Sequence, residues 1–296
     1  MSHYPDRRSV LAGLAALPVL AATPLRAEPV QRPFNLRIVM SGHSLTDAIP
    51  RPLETLVKAA GGAQSRGMLI DKSTIPGSPA EMRWETNPIE PVDAKRDIAN
   101  YDVLVLTERV SVRSTLQWHA ADKIALTWFD HAWKNGRGGE GAETIYYASW
   151  IGLDSGTPSK WDTSEDQLIP FRERLDVEMA AWQTIADYVN TNRTAGSPPM
   201  RVIPGPMIMA AVWDAIQAGS APGLKAMTEL FEDDIHVNAK GSYLIALAHY
   251  AVIYRRDPRE IPNLRGEPGW PTHEQADWMK ALVWDVVRAY PDSGLA

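Results

Sequence analysis

The sequence of 296 residues contains no cysteine. Disulfide frameworks, thiolate zinc sites, iron–sulfur clusters and cysteine nucleophiles are therefore excluded for this chain. The chain also has no excess of positive charge, since 30 basic and 36 acidic residues give a net charge of −6 at pH 7. Because a surface that binds nucleic acid needs clustered Lys and Arg, the sequence predicts no nucleic-acid partner. The nucleophiles that remain are mainly Ser, Thr, Asp, Glu and Lys.

The amino terminus carries an apolar stretch that is too short to span a membrane. Residues 10–22 form this stretch, and a spanning helix needs about 20 residues. Arg7 and Arg8 precede it and Ala27 follows it, an arrangement typical of an export signal of the twin-arginine type. We expect residues 1–27 to be removed, which predicts a periplasmic or extracellular protein without a stable membrane span. A short anchor that is never cleaved is the alternative.

Residues 28–296 are predicted to form a single domain, because no low-complexity linker divides them. The predicted strands are residues 36–40, 102–106, 144–149 and 201–203, with 67–70 as a weaker fifth. The predicted helices are residues 53–60, 115–134, 171–190, 206–217 and 239–255. This alternation predicts a three-layer α/β/α sandwich with a mostly parallel, flavodoxin-like central sheet. In such sheets the chemistry lies on loops beyond the carboxyl ends of the strands.

A serine stands between the first predicted strand and the next helix, in the segment Gly42-His43-Ser44-Leu45-Thr46-Asp47. Side chains at such a junction are displayed above the sheet edge, and the amides of the following helical turn point toward an oxyanion formed there. Serine is a weak nucleophile unless a base removes its proton. This interpretation therefore requires a histidine, and preferably a carboxylate to orient the histidine.

A candidate base lies near the other end of the chain, in the segment Asp233-Asp234-Ile235-His236. The D-x-x-H spacing brings the two outer residues within about 7 Å across one turn. One loop can thus supply both the base and its orienting carboxylate. These carboxylates, together with Glu232 and the imidazole, are also ordinary ligands of divalent cations, so a metal site is the alternative interpretation of the segment.

Taken together, G-x-S-x-x-D after the first strand and D-x-x-H before a long apolar helix resemble the SGNH or GDSL-like hydrolases. The resemblance implies that Ser44 is the nucleophile, His236 the general base and acid, and Asp233 the orienting carboxylate. It also implies that Asp47 holds the nucleophile turn and that the amides of Ser44 and Gly77 form the oxyanion hole. No metal or organic cofactor is required by this mechanism.

The sequence departs from the family at its third block. Family members usually carry G-x-N-D there, and the Asn donates to the oxyanion, whereas this chain has Thr107-Glu108-Arg109. An ionised Glu108 accepts hydrogen bonds and cannot donate one. Three arrangements could compensate for the missing Asn donor. Arg109 could donate to the oxyanion, or Glu108 could be held protonated. Alternatively, Glu108 could bind a substrate hydroxyl while two amides carry the oxyanion. A fold that has lost catalysis and only binds is a further alternative.

The aromatic content favours a carbohydrate substrate. The chain has 11 tryptophans, and aromatic faces can stack on sugar rings, although most large aromatics belong to cores. Trp84, after the presumed oxyanion loop, and Trp150, after a strand, are the candidates. The sequence therefore predicts an exported serine esterase acting on small-molecule or glycan esters, specifically a carbohydrate acetylesterase. A lipid-ester or thioester hydrolase with the same triad and a non-catalytic glycan-binding protein are the alternatives, and no oligomeric state is predicted.

Overall fold

A computed structural model describes residues 30–64, 66–86, 88–158, 164–264 and 268–295 of the chain. The predicted export signal, residues 1–27, lies outside the described residues. Within the described ranges, no helix is both long and apolar enough to cross a bilayer.

The described residues form one central sheet of five strands, and all of its pairings are parallel. In chain order the strands are β1 (Arg37–Gly42), β2 (Leu69–Thr74), β3 (Val103–Leu106), β4 (Glu143–Ala148) and β5 (Arg201–Pro204). Their spatial order is β2-β1-β3-β4-β5, the flavodoxin-like order, in which ligands bind where the order reverses beside β1 and β3. The predicted fold class is confirmed.

Helices cover both faces of the sheet. They are α1 (Ser44–Asp47), α2 (Pro50–Ala59), α3 (Ala80–Glu85), α4 (Val112–His119), α5 (Ala121–Asn135), α6 (Phe171–Asn192), α7 (Gly205–Gln217), α8 (Ala239–Tyr254) and α9 (His273–Ala289). One core cluster joins the sheet to α2, α7, α8 and α9, and a second joins it to α3, α5 and α6. Successive strand residues point to opposite faces of the sheet, so Met40 packs in the first cluster and Val39 in the second.

The long helix α8 is apolar around its whole circumference. Residues 241–254 are all buried, as expected for a helix enclosed on every side. Asn238 caps its first turn by accepting hydrogen bonds from two helix amides. Glycine is required at Gly241, because a Cβ there would lie 2.3 Å from the carbonyl oxygen of Leu230. This close approach fixes the start of α8 against the loop that carries His236.

Two features of the helices differ from the sequence prediction. The single helix predicted over residues 115–134 is wrong, because Ala120 adopts a left-handed backbone conformation (φ 45°) that separates α4 from α5. The helix α9 is missing from the prediction. Its start does carry a signal, since Thr272 and Gln275 form a capping box.

Candidate active site

Ser44 begins α1 directly beyond the carboxyl end of β1. The chain turns sharply there, and a Cβ at Gly42 would lie 2.0 Å from Oγ1 of Thr46. Glycine therefore allows α1 to fold back tightly onto β1. His43 caps the short helix, since its Nδ1 accepts the Leu45 amide across 3.4 Å. The result is a partly exposed serine at the first position of a helix.

Ser44 and His236 are in hydrogen-bond contact although 192 residues separate them. Oγ of Ser44 donates to Nε2 of His236 across 2.8 Å, and Nδ1 of His236 donates to Oδ2 of Asp233 across 2.7 Å. In this arrangement the imidazole carries its proton on Nδ1, so Nε2 is free to accept the serine proton. The structure thus brings together the three residues that the sequence analysis paired, in the geometry of a nucleophile, a base and an orienting carboxylate.

Backbone amides, in addition to the imidazole, donate hydrogen bonds to the carboxylate of Asp233. Oδ1 of Asp233 accepts hydrogen bonds from the amides of Ile235 (2.8 Å) and His236 (2.7 Å). Burial alone would raise the pKa of this carboxyl, but the hydrogen bonds from His236 and Ile235 outweigh it and lower the pKa to about 2. Asp233 is therefore ionised at neutral pH and stabilises a positive charge on the imidazole.

Trp150 supports the loop that carries the base. Its side chain is fully buried, and Nε1 donates to the carbonyl oxygen of Ile235 across 2.9 Å. The ring packs edge-on against Phe231, with the centroids 6.1 Å apart. The prediction that Trp150 stacks on a sugar is therefore wrong, because its ring has no exposed face. It positions the His236 loop instead.

Trp84 also packs away from the site. Its ring lies edge-on to Trp128 (5.0 Å between centroids) and to His131 (5.3 Å), and Nζ of Lys95 lies 4.3 Å from its centroid. Trp84 lines neither of the two cavities that meet at His236. The structure therefore places Trp84 against protein neighbours and away from Ser44 and His236, and it gives no contact that supports sugar stacking there.

The amides of Ser44 and Gly77 have no hydrogen-bond acceptor within the described ranges. Ser44 is the first residue of α1, where a helix amide has no acceptor inside the helix. Gly77 lies in the turn after β2 with a φ of 66°, a conformation that favours glycine. Because the Ile75 amide bonds to the Gly42 carbonyl oxygen across 3.2 Å, this turn is joined to the end of β1. Both amides are thus available at one edge of the sheet.

Asp47 ties α1 to β2. Its Oδ1 accepts hydrogen bonds from Nζ of Lys72 (2.6 Å) and from Oγ1 of Thr74 (2.8 Å). Both donors lie in the second half of β2, just before the segment that contains Gly77. This position fits a residue that holds the serine turn rather than one that reacts.

Glu108 lies beneath the site and is fully buried. Its carboxylate oxygens accept the Ala80 amide (3.0 and 3.2 Å), and Oε1 also accepts the Arg109 amide (2.6 Å). Burial raises the pKa of this carboxyl, while Arg83 and the two amides oppose the shift. Glu108 caps the first turn of α3. The interpretation of Glu108 as a substrate-binding residue is wrong, because a carboxyl without exposed surface cannot meet a substrate hydroxyl.

Arg83 is a buried arginine that the sequence analysis missed. Its guanidinium donates to Oγ of Ser41 (3.2 Å), to the carbonyl oxygen (2.6 Å) and Oγ (3.1 Å) of Ser78, and to the carbonyl oxygen of Thr107. These partners belong to β1, to the loop after β2 and to the end of β3. Arg83 and its neighbour Glu108 therefore fasten the loop after β2 to the edge of the sheet.

Replacing Arg83 with methionine is expected to lower the free energy of unfolding by about 3–5 kcal/mol, because Glu108 would lose its buried counter-charge. Urea denaturation at pH 7 measures the change. Arg96→Met is the matched control, since Arg96 pairs with Asp97 and Glu90 on the surface, where solvent screens ion pairs and they contribute little to stability. Equal losses in the two variants would contradict the role given to Arg83.

Arg109 makes no hydrogen bond or ion pair with Ser44, His236 or Asp233 among the described residues. Its amide is used by Glu108, and among the described residues no acceptor is hydrogen-bonded to its guanidinium. Arg109 also lines neither cavity at His236. The structure therefore gives no contact through which Arg109 replaces the missing Asn donor.

His43 is a second buried group that the sequence analysis missed. Its Nε2 donates to the carbonyl oxygen of Glu108 across 2.9 Å, which joins the serine turn to the end of β3. Burial, assisted by the charge of Arg83, lowers the pKa of His43 to about 4. The imidazole is therefore neutral at pH 7, which its two hydrogen bonds require.

Buried histidines predict a loss of stability below pH 6.5. Burial lowers the pKa of both His43 and His249 on α8 to about 4, against an ordinary value of 6.5. As the pH falls, the unfolded chain binds protons first, so this stability is complete above pH 6.5 and declines until about pH 4. Between pH 7.5 and pH 5, each histidine is expected to lower the free energy of unfolding by about 2 kcal/mol.

Urea denaturation at the two pH values measures this decline, and His249→Phe isolates one contribution. His249 makes its described hydrogen bond through Nδ1 to a carbonyl oxygen of its own helix, so phenylalanine keeps the ring and removes the titration. The variant is expected to lose about 2 kcal/mol less than the parent protein over the same pH range. An unchanged pH dependence would show that His249 is not the source.

Two cavities meet at His236. The first, of about 360 Å³, lies over the loops that follow β3 and β4. Its lining includes Val110, Ser111, Ile151, Asp154, Gln167 and Ile235. The second, of about 530 Å³, is lined by Ser44, His236 and Trp270 among others. Sequence reasoning missed Trp270, because it precedes the unpredicted helix α9 and no local pattern connects it to Ser44.

The described residues include no group of three or more His, Asp or Glu side chains placed to hold a metal ion. The metal site considered for the segment from Glu232 to His236 is thus not assembled. Asp233 instead hydrogen-bonds to the imidazole and to the backbone of its own loop.

No protein-family profile matches the sequence, and no curated protein is significantly similar to it. A DUF4886-family protein from Bacteroides uniformis shares the fold with a TM-score of 0.59 and 15% identity, over 87% of this chain and 96% of the other. A protein assigned to the SGNH hydrolases, from Slackia heliotrinireducens, matches with a TM-score of 0.47 and 21% identity, over 72% and 96% of the two chains. An acetyl xylan esterase matches with a TM-score of 0.47 and 13% identity, over 74% and 100%. The likeness to the DUF4886-family structure agrees with the predicted three-layer α/β/α fold.

Proposed function

We propose that this protein is a serine hydrolase that cleaves carboxylic esters through an acyl-enzyme. The observation that carries the proposal is the pair of hydrogen bonds from Ser44 to His236 (2.8 Å) and from His236 to Asp233 (2.7 Å). The side chains of His236 and Asp233 are 40% and 55% exposed, so the triad is open to a substrate. Packing of the core gives no reason for such an alignment at the surface.

In the proposed reaction, Oγ of Ser44 attacks the ester carbonyl carbon while Nε2 of His236 takes the serine proton. The carbonyl oxygen becomes an oxyanion and accepts hydrogen bonds from the amides of Ser44 and Gly77. The bond from carbon to the alcohol oxygen then breaks, and the departing oxygen takes the proton from Nε2. Water repeats the sequence on the acyl-enzyme and releases the carboxylic acid.

The oxyanion hole of this proposal consists of two backbone amides. Glu108 has no exposed surface, and its carboxyl oxygens accept the Ala80 and Arg109 amides, so it does not replace the side-chain donor of the third block. One missing donor typically lowers kcat about 10²- to 10³-fold. An enzyme with this triad retains substantial acceleration after such a loss.

We further propose that the substrate is a carbohydrate acetyl ester and that the protein is exported. Polar side chains that suit hydroxyl groups, among them Glu232 and Ser242, line the cavity that Ser44 and His236 share. The twin-arginine pattern of residues 1–27 supports an encounter with glycans outside the cytoplasm. Amino-terminal sequencing of the mature protein, with cleavage near Ala27 as the expected result, tests the export step.

A profile of acyl chain length tests the activity. With p-nitrophenyl esters from acetate to dodecanoate, we expect the highest kcat/KM for acetate. A preference for chains of about eight carbons or more would instead support a lipid-ester or thioester hydrolase, since such substrates need an apolar tunnel. Binding of glycans without hydrolysis of any ester would support the non-catalytic alternative.

A further inference from the structure

The cavity that Ser44 and His236 share also contains an aromatic side chain. This cavity of about 530 Å³ lies between α1, the start of α2, the first turn of α8 and the segment before α9. Besides Ser44 and His236, its lining includes Glu232, Ser242 and Trp270. We call it the Trp270 cavity.

The chemistry of an acyl transfer places the alcohol half of the ester in this cavity. The departing oxygen must reach Nε2 of His236, because that nitrogen returns the proton to it. The same oxygen is bonded to the carbon that Ser44 attacks. The alcohol therefore leaves through a space that both side chains line, and the Trp270 cavity meets this condition. The cavity over β3 and β4 is lined by His236 but not by Ser44.

Trp270 is held at a fixed position relative to the base. Its ring packs edge-on against Tyr243, with the centroids 5.2 Å apart and the planes at 61°. Tyr243 is buried on the first turns of α8, seven residues beyond His236. Trp270 itself is only partly buried, so part of its ring faces the cavity. Trp270 thus presents an aromatic surface in the cavity that Ser44 and His236 line.

Two polar groups of the same cavity have no hydrogen-bond partner within the described ranges. They are the exposed carboxylate of Glu232 and the hydroxyl of Ser242. A carboxylate accepts hydrogen bonds from hydroxyl groups. An aliphatic alcohol would cover these groups without pairing them, which is unfavourable.

We propose that the Trp270 cavity binds the alcohol half of the substrate as a sugar ring, with Trp270 as its stacking surface. The apolar face of the ring lies on the indole, and Glu232 accepts a hydrogen bond from a hydroxyl group. This assignment rests on the proposed esterase function. It adds a recognition residue that touches the sugar and takes no part in the proton transfers.

The test compares two acetyl esters that differ only in the alcohol. Methyl 2-O-acetyl-β-xyloside presents a sugar ring with two free hydroxyl groups, and ethyl acetate presents an alcohol without a ring. For Trp270→Ala we expect kcat/KM for the xyloside to fall about 10-fold or more, mostly through KM, since aromatic contacts of this kind are substantial. Hydrolysis of ethyl acetate, followed by pH-stat, is expected to stay within about 2-fold of the parent protein, and Trp270→Phe is expected to restore most of the xyloside activity.

Trp118→Ala is the matched control, because Trp118 is 72% exposed on α4 and lines neither cavity. It is expected to leave both activities unchanged. An equal loss on the two esters in Trp270→Ala would assign Trp270 a merely structural role and overturn the proposal, as would an unchanged KM for the xyloside.

A binding measurement separates this proposal from the esterase function. Calorimetry of the xyloside with Ser44→Ala, alone and combined with Trp270→Ala, requires no turnover. The second substitution is expected to weaken binding about 10-fold. A parent protein that hydrolyses neither ester would contradict the esterase function, and unchanged binding in the double variant would contradict the stacking surface.

Discussion

Ser44→Ala is expected to lower kcat for p-nitrophenyl acetate by about 10⁴- to 10⁶-fold, because the acyl-enzyme cannot form without the serine oxygen. The fold should be unaffected, since the Ser44 side chain is partly exposed and its described hydrogen bond is to His236. The residual rate comes from binding and from the two amides at the oxyanion. Steady-state kinetics measures kcat, and circular dichroism confirms the fold.

Ser220→Ala serves as the control for this substitution. Ser220 is exposed near the end of α7, where its hydroxyl donates to the carbonyl oxygen of Ala215. The control is expected to keep full activity. If Ser44→Ala retains more than about a tenth of the parent kcat, the serine is not the nucleophile.

Asp233→Asn is expected to lower kcat by about 10⁴-fold, through the tautomer of His236. The asparagine oxygen can still accept the amides of Ile235 and His236, so its NH₂ group would face Nδ1 of the imidazole. Nδ1 must then accept, which moves the ring proton to Nε2. An imidazole that is protonated on Nε2 cannot take the proton of Ser44. The geometry remains while the base is lost.

Asp285→Asn is the matched control, because it removes one exposed carboxylate from α9 at a distance from the triad in the fold. We expect kcat within about 2-fold of the parent. A loss in Asp233→Asn no larger than that of the control would mean that the carboxylate does not orient the base.

The contact between Ser44 and His236 could be predicted because G-x-S-x-x-D and D-x-x-H together resemble the SGNH or GDSL-like hydrolases. Strand topology places Ser44 alone, directly beyond the carboxyl end of β1, since α7 separates His236 from β5. The contacts within the D-x-x-H turn could be predicted because they are local. The same four residues fix the hydrogen bond from His236 to Asp233 and the hydrogen bond from the Ile235 amide to the Asp233 carboxylate.

The roles of Glu108, Trp84 and Trp150 could not be predicted, because they depend on partners from distant segments. Glu108 is buried beside Arg83, and neither residue identifies the other in the sequence. Trp150 and Trp270 are the same residue type, yet Trp150 is buried against the His236 loop while Trp270 lines the cavity. Which side of an aromatic ring is covered is a property of packing, and no periodic pattern records it.

The break between α4 and α5 has the same origin. Ala120 adopts a left-handed conformation that is usually occupied by glycine or asparagine. An alanine carries no local signal for such a turn, and tertiary packing imposes it. The capping box at Thr272 and Gln275, in contrast, is a sequence signal that α9 does contain.

Whether Ser44 is chemically activated can be read from the site at which a fluorophosphonate probe reacts. The purified protein is expected to gain a single phosphonyl group, located on Ser44 by tandem mass spectrometry. His236→Ala is expected to react at least about 10²-fold more slowly, since the serine loses its base. An adduct on another residue, labelling of Ser44→Ala at the parent rate, or no reaction at all would contradict the triad.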